Sequence, residues 1–131
     1  VWAVAGDGGF QMCLPELATA VQERLPIRVA VMNNGFLGMV RQWQELFHER
    51  RYASTDIFGP DFVALAGAYG VPARAVDRIE ALESALDWAA STDGPVLLDL
   101  RILREENVFP MVPAGAAIDE MILEPSAEVV R

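Results

Sequence analysis

The sequence predicts an α/β domain: a doubly wound parallel sheet with helices on both faces, followed by an irregular C-terminal tail. Three observations carry this prediction. Apolar or β-branched runs of strand length alternate with segments in which apolar residues recur at helical spacing. The final run, within "GPVLLDLRI", is apolar enough for a strand covered on both faces. Two of the runs end in glycine- or asparagine-rich loops, as strands of such sheets do at the carboxyl edge where ligands bind.

The first element is the apolar run Val1 to Ala5, read as a buried strand. It opens the chain abruptly, so the chain is expected to begin partway through a longer protein. A glycine turn, "GDGG", follows, and then "LPELATAVQERL", where Leu14, Leu17, Ala18, Val21 and Leu25 mark one helical face. Pro15 suits the first helical turn, where a missing N–H loses no partner. Ile27 to Met32 is the second strand, closed by Asn33, Asn34 and Gly35. In "LGMVRQWQELFHERR" the spacing sets Met39, Trp43, Leu46 and Phe47 on one face and leaves Arg41, Gln44, Glu45 and Arg51 for water. Beyond the loop "STDIFGPD" come a helix in "FVALAGAYG", a short strand in "ARAVD", a helix in "IEALESALDWAAS" and the last strand. From Glu105 the chain becomes rich in Pro and Gly, so the domain proper is expected over 1–104 and a tail over 105–131.

Composition removes several function classes. All ten basic residues are arginine and the net charge is −9, so there is no basic footprint for nucleic acid, no lysine for a phosphate-binding GxxxxGK[ST] loop and none for a Schiff base. Cys13 and His48 are the only residues of their types, which excludes an internal disulfide and a Cys/His zinc cluster. No run of about 18 apolar residues is present, so no membrane span is expected, and the cytosol is the expected compartment. An acidic chain that binds a phosphate compound needs a cation or backbone N–H groups to offset repulsion.

Gly6-Asp7-Gly8 after the first strand and Asn33-Asn34 after the second are 24 residues apart, room for one helical crossover. Taken alone, Asp7 between glycines is ordinary turn chemistry. If the two strands are parallel neighbours, a carboxylate and a carboxamide oxygen converge at one sheet edge. That is the outline of a magnesium diphosphate site, because Mg²⁺ takes oxygen ligands, few of them from protein and the rest from phosphate and water. A dinucleotide site fits less well: position 11 is Gln where GxGxxG needs its third glycine, and Asn-Asn stands where an acid is expected.

The Gly-Asp-Gly and Asn-Asn pair is the thiamine diphosphate signature, and "GDGGFQM", "ELATAVQE", "NNGFLGMVRQWQELF" and "REENVFPMVPAGAAIDEMI" resemble the carboxyl-terminal part of the acetolactate synthase family, over nearly the whole chain. "RQWQELF" and "ENVFPMVP" are the particular stretches; other thiamine diphosphate enzymes resemble only the first half. The resemblance implies Asp7 and Asn34 as side-chain Mg²⁺ ligands and Phe36 as a ligand through its backbone carbonyl. It implies Gly6, Gly8, Gly9, Leu37, Gly38 and Met39, together with those three, as the thiamine diphosphate site. Gly9 stands where relatives often carry Ser, and Pro15 where they commonly carry Gln. Leu37 to Tyr52 would form a mobile segment over the active site, Trp43 would face the second keto acid, and the tail from Glu105 would act as a lid. By spacing alone Trp43 is more often a core residue, and only Gln42 and Gln44 beside it, in the family pattern, favour the substrate-facing role. His48 reads as a solvated or capping residue, Cys13 as a small buried filler, and Glu105 and Glu106 as solvated carboxylates.

The activity implied is the condensation of pyruvate with pyruvate or 2-oxobutyrate, with loss of carbon dioxide, in branched-chain amino acid synthesis. No catalytic residue is expected on this chain. The family's proton-relay glutamate belongs to an amino-terminal domain of a partner subunit, and FAD lies mostly against a middle domain. The resemblance implies a homodimer or larger homo-oligomer of the whole catalytic subunit, admits a regulatory small subunit, and places plant or fungal members in organelles. Two other readings stay open: another thiamine diphosphate-dependent 2-keto acid decarboxylase or carboligase, and a non-catalytic α/β module that retains the fold.

Overall fold

The computed structural model describes residues 1–124. Four strands, β1 (Trp2–Gly6), β2 (Arg28–Asn33), β3 (Ala73–Val76) and β4 (Val96–Arg101), form one sheet in the order β1-β2-β4-β3. Every pairing is parallel, with Val4 opposite Ala30, Ala30 opposite Leu98, and Arg74 opposite Leu98. The helices are α1 (Asp7–Gln11), α2 (Glu16–Gln22), α3 (Gly38–Phe47), α4 (Phe62–Ala68) and α5 (Leu82–Ser91), the last preceded by a 3-10 turn at Ile79–Ala81.

Strand alternation divides the core in two. Val29, Val31 and Leu97 face one side and pack with Phe10, Leu17, Phe62 and Ala66 from α1, α2 and α4. Leu98 and Val96 face the other and pack with Ala85 and Ala89 of α5. Two-sided burial explains why the last strand reads as a continuous apolar run. The doubly wound α/β prediction is therefore met. The connections leaving β1 and β2 both cross on the first face, and the winding reverses at β3.

Local signals agree with the elements where the chain is regular. Asp61 caps α4 by accepting hydrogen bonds from Val63 N (3.0 Å) and Ala64 N (2.9 Å), and Gly70 takes the left-handed φ of +78° just past its end. Arg28 on β2 donates to the last carbonyls of α5 and its cap, Ala89, Ala90 and Thr92, at 2.7–3.0 Å, so a cation sits at the negative end of that helix.

Five expectations change. The glycine turn after β1 is a short helix, since Phe10 within it is buried against Phe62 with ring centroids 5.7 Å apart. That burial, worth roughly 1.5–3 kcal/mol, offsets the helix cost of Gly8 and Gly9. The first strand is barely covered: Ala5 packs on the first core, but Ala3 beside it is exposed, and so are Trp2 and Val4 on the opposite face. Cys13 is exposed. The apolar run of β4 contains a fully buried carboxylate, Asp99. The expected faces of α3 are partly reversed: Arg41, expected in water, is buried, as is Gln42, while Met39 and Phe47, expected inward, are exposed and Trp43 and Leu46 are half-buried.

The last reversal has a cause in the tail. From 105 to 124 the chain has only a 3-10 turn (Ile118–Glu120) and an isolated antiparallel bridge between Met111 and Ile122. This segment packs under α3. The Gln42 amide accepts from Val108 N (2.8 Å) and donates to Val108 O (2.9 Å) and Met111 Sδ (3.0 Å), copying a strand pairing with one side chain. Residues 125–131 of the expected tail lie outside the described residues.

Candidate functional site

Parallel pairing of β1 with β2 brings Gly6 level with Met32, so the residues that follow each strand emerge side by side at the carboxyl edge. Asp7, the first residue of α1, is buried, and its Oδ2 accepts the Gly35 N–H at 2.8 Å. Gly35 reaches this carboxylate in a left-handed conformation, φ +71°, which glycine adopts without the strain a Cβ would add. Asn34 folds back so that its Oδ1 accepts from Phe36 N at 3.0 Å. A direct bridge thus joins the two loops that the sequence pairs at a distance.

Around this bridge lies an open cavity of about 380 Å³. Its wall includes all nine residues predicted as the cofactor site, Gly6, Asp7, Gly8, Gly9, Asn34, Phe36, Leu37, Gly38 and Met39, together with Met32, Val40 and Ile102. Trp43 is not in the wall. It is half-buried one turn further along α3, against Phe47 with ring centroids 4.8 Å apart. A larger cavity, about 580 Å³, lies beside the first and shares Met32 and Ile102 with it, but it is lined mainly by Val76, Ile79, Leu82, Leu100 and Leu103. It contains none of the nine, and its two carboxylates, Asp77 and Glu106, are matched by Arg78 and Arg101 in the same wall, so the candidate site is the smaller cavity.

The donor set fits a hard cation shared with a phosphate ligand. Among the described residues no hydrogen bond reaches Asp7 Oδ1 or the Phe36 carbonyl oxygen, and Asn34 Oδ1 accepts only one of the two it can take. No group of three or more His, Cys, Asp or Glu that could hold a metal occurs among those residues, so a cation here would take the rest of its shell from phosphate and water. The glycines divide by role. A Cβ on Gly8 would come 2.9 Å from Leu37 Cδ2 and 3.0 Å from Ile57 Cδ1, the ends of two side chains that would have to shift to admit it. Gly6 and Gly9 meet nothing within 4 Å and leave bare backbone on the cavity wall. On Gly38 a Cβ would press the Asn34 amide at 3.4 Å.

Asn33 and Asn34 also divide. Asn33 points away from the cavity and donates to the buried Asp99 Oδ1 at 2.8 Å, tying β2 to β4. Asp99 Oδ2 has Arg101 Nη2 2.9 Å away, but no hydrogen bond forms, so the pair is coulombic rather than directed. Only an acidic residue inside an otherwise apolar strand run could have signalled this partner.

Sequence reasoning missed the arginines around Phe36. Arg104 donates through Nε to Asn34 O (3.1 Å) and through Nη2 to Asp56 Oδ1 (2.7 Å), with its guanidinium carbon 4.1 Å from the Phe36 ring centroid. Arg41 lies 5.1 Å from the same ring and 4.5 Å from that of Tyr52, and pairs with Glu45 (2.8 Å) and Glu105 (3.6 Å). Glu105 is thus an ion-pair partner as well as exposed, while His48 caps the exposed end of α3 through its backbone. Burial and the neighbouring Glu45 carboxylate raise the Tyr52 phenol above its ordinary value of 10.0.

Comparison with known proteins agrees with this fold. The family described as thiamine pyrophosphate enzyme, C-terminal TPP binding domain, matches residues 1–100. The acetolactate synthase isozyme 2 large subunit of Escherichia coli is 43% identical over 123 residues, 93% of this chain and 22% of that protein. The mitochondrial acetolactate synthase catalytic subunit of Saccharomyces cerevisiae is 42% identical over 95% of this chain and 18% of its own length. Among solved structures, benzoylformate decarboxylase from Polynucleobacter necessarius is similar with a TM-score of 0.75 and 29% identity, over 82% of this chain and 20% of that one. The chain spans about a fifth of the length of these relatives. No helix among the described residues is long and apolar enough to cross a membrane. Parallel sheet, loop pair and family match lead to one assignment: the chain belongs to the thiamine pyrophosphate enzymes, as their C-terminal TPP-binding domain.

Proposed function

We propose that this chain anchors thiamine diphosphate through Mg²⁺ in an acetolactate synthase, which condenses pyruvate with pyruvate or 2-oxobutyrate and releases carbon dioxide. The observation that carries the reading is the convergence of Asp7, Asn34 and Phe36 on one cavity, in a chain 42–43% identical to acetolactate synthases over more than nine-tenths of its length.

Asp7 would supply the negative ligand, Asn34 its amide oxygen and Phe36 its carbonyl oxygen. The Gly35 N–H already holds one carboxylate oxygen of Asp7, which orients the other. Bare backbone at Gly6 and Gly9 would let a diphosphate approach closely, and Leu37, Gly38 and Met39 would border its other side. Thiamine diphosphate, when bound, supplies the carbanion chemistry that removes carbon dioxide from a 2-keto acid. This chain's part is to bind and orient the diphosphate end. We assign it no proton transfer; the proton-relay glutamate, and most of the contacts to FAD, would belong to other domains of the complete homo-oligomer, with a regulatory small subunit as a further partner. The tail from Glu105 would form the lid, and Trp43, half-buried on α3, would meet the second keto acid.

The test is acetolactate formation by the full-length product of the gene encoding this chain, with thiamine diphosphate, Mg²⁺ and FAD supplied. Acetolactate from pyruvate is the expected result. Decarboxylation of a 2-keto acid without carboligation would support the second reading, a decarboxylase, which the likeness to benzoylformate decarboxylase favours. Cofactor binding with no turnover of any 2-keto acid would sink both and leave a non-catalytic module.

A further inference from the structure

We propose that Arg104 is a positioning residue for the divalent cation: it holds the Asn34–Phe36 turn in the shape that offers two oxygens to the metal. The inference rests on the cation reading of the cavity given above.

Three contacts from one guanidinium converge on that turn. Nε donates to the Asn34 carbonyl (3.1 Å), Nη2 donates to Asp56 Oδ1 (2.7 Å), and the plane lies over the Phe36 ring, 4.1 Å from its centroid. Phe36 and Asp56 are themselves bridge partners, with Leu37 N donating to Thr55 O (2.8 Å) and Ile57 N to Gly35 O (3.0 Å). Arg104 therefore clasps both sides of a two-residue bridge that has no longer strand to support it. It also flanks Gly35, where a Cβ would meet Nη2 at the ordinary contact distance of 3.7 Å. The same turn contains both neutral ligands proposed for the cation and the N–H that binds Asp7.

The contacts suit positioning better than global stability. Arg104 is absent from the cavity wall, so its effect on a cation there would pass through the turn it holds. Its ion pair with Asp56 is open to solvent, with side chains 59% and 78% exposed, and such pairs add little to folding. What the guanidinium supplies is shape, because its planar fork can donate in two directions while stacking on an aromatic face, which an ammonium cannot do. Residues that orient metal ligands from outside the first shell typically change metal affinity by about 10–100-fold.

The experiment uses the full-length product, with Mn²⁺ as an electron paramagnetic resonance probe of the Mg²⁺ site in the presence of thiamine diphosphate. Asp7→Ala is the reference for loss of the site. Arg104→Ala is expected to weaken Mn²⁺ binding by about 10–100-fold, and Arg104→Lys to recover only part of it. The melting temperature of the cation-free protein should stay at the wild-type value, and added ethylguanidinium should restore affinity in Arg104→Ala. Wild-type Mn²⁺ affinity in Arg104→Ala, beside loss in Asp7→Ala, would overturn the inference and leave Arg104 as a surface ion pair. So would a lowered melting temperature without chemical rescue, which marks a structural role. Wild-type affinity in Asp7→Ala would overturn the cation site itself, and the positioning role with it.

Discussion

The loop pair beyond β1 and β2 and the seam between α3 and the tail both bury polar side chains, but they do so by different means. In the loop pair, Asp7 takes one backbone N–H from the other loop and Asn34 one from two residues on, leaving oxygen lone pairs over for a ligand. In the seam, Gln42 uses both ends of its amide on Val108, 66 residues away, and Arg41 is shared among two carboxylates and two rings. The first region keeps bonding capacity in reserve; the second spends its capacity internally. Substitutions should therefore show in cofactor affinity in one region and in local order in the other.

The largest effect should come from Asp7→Ala, which removes the only charged ligand proposed for the cation. Outer partners of metal ligands cost about 10–100-fold in affinity, so loss of this carboxylate should cost at least about 100-fold in Mg²⁺-dependent thiamine diphosphate binding. Calorimetry on the full-length protein with and without Mg²⁺ measures it; equal heats in variant and wild type would remove the metal role from Asp7.

Gln42→Ala should act on order instead. It removes both bonds to Val108, whose exposed position lets water replace them in part, at a local cost of about 0.5–1.5 kcal/mol. Hydrogen exchange at the Val108 amide should accelerate, with cofactor affinity changed less than by Asp7→Ala. Unchanged exchange would show that the tail is held by something other than this amide.

These two regions also differ in how far they could be read from sequence. Asp7 and Asn34 were legible because each follows a strand-like run directly, and parallel neighbours put such positions side by side. The orientation of α3 was not, because helical periodicity assumes that apolar residues face the core. Here the inner surface of α3 meets a tail with polar backbone, so Arg41 and Gln42 go in while Met39 and Phe47 stay out. Nothing local marks Gln42 as different from Gln44, which bonds Ala53 at the exposed end of the helix. Asp99 was hidden similarly: its partner Asn33 reads as part of the loop signature, and pairing them requires knowing that β2 and β4 are neighbours.

A smaller effect separates two adjacent glycines. Gly8→Ala forces Leu37 Cδ2 and Ile57 Cδ1 to move from 2.9 and 3.0 Å, and overpacking of this kind costs about 1–3 kcal/mol where side chains can yield only partly. Gly9→Ala meets nothing within 4 Å in a helical segment and should stabilise by about 0.5–1 kcal/mol. Opposite shifts in melting temperature are expected. Shifts of the same sign would mean that the α1 backbone, not side-chain contact, decides both.

The smallest effect tests the seam through its titration. Tyr52 is raised above 10.0 by burial first and by Glu45 second, whose carboxylate also accepts its hydroxyl at 3.3 Å. With the folded value above the unfolded one, the associated stability is fully present below about pH 10 and is lost as pH rises through the folded value. Glu45→Gln removes the repulsion between carboxylate and phenolate, so the Tyr52 midpoint should fall towards its ordinary value while a remnant from burial persists. Arg41 then loses one of its two carboxylate partners and keeps Glu105, Phe36 and Tyr52. Ultraviolet difference titration against Tyr52→Phe isolates this phenol from Tyr69. A midpoint unmoved by Glu45→Gln would mean that burial alone sets it, and that the seam depends on packing around Arg41 rather than on its charges.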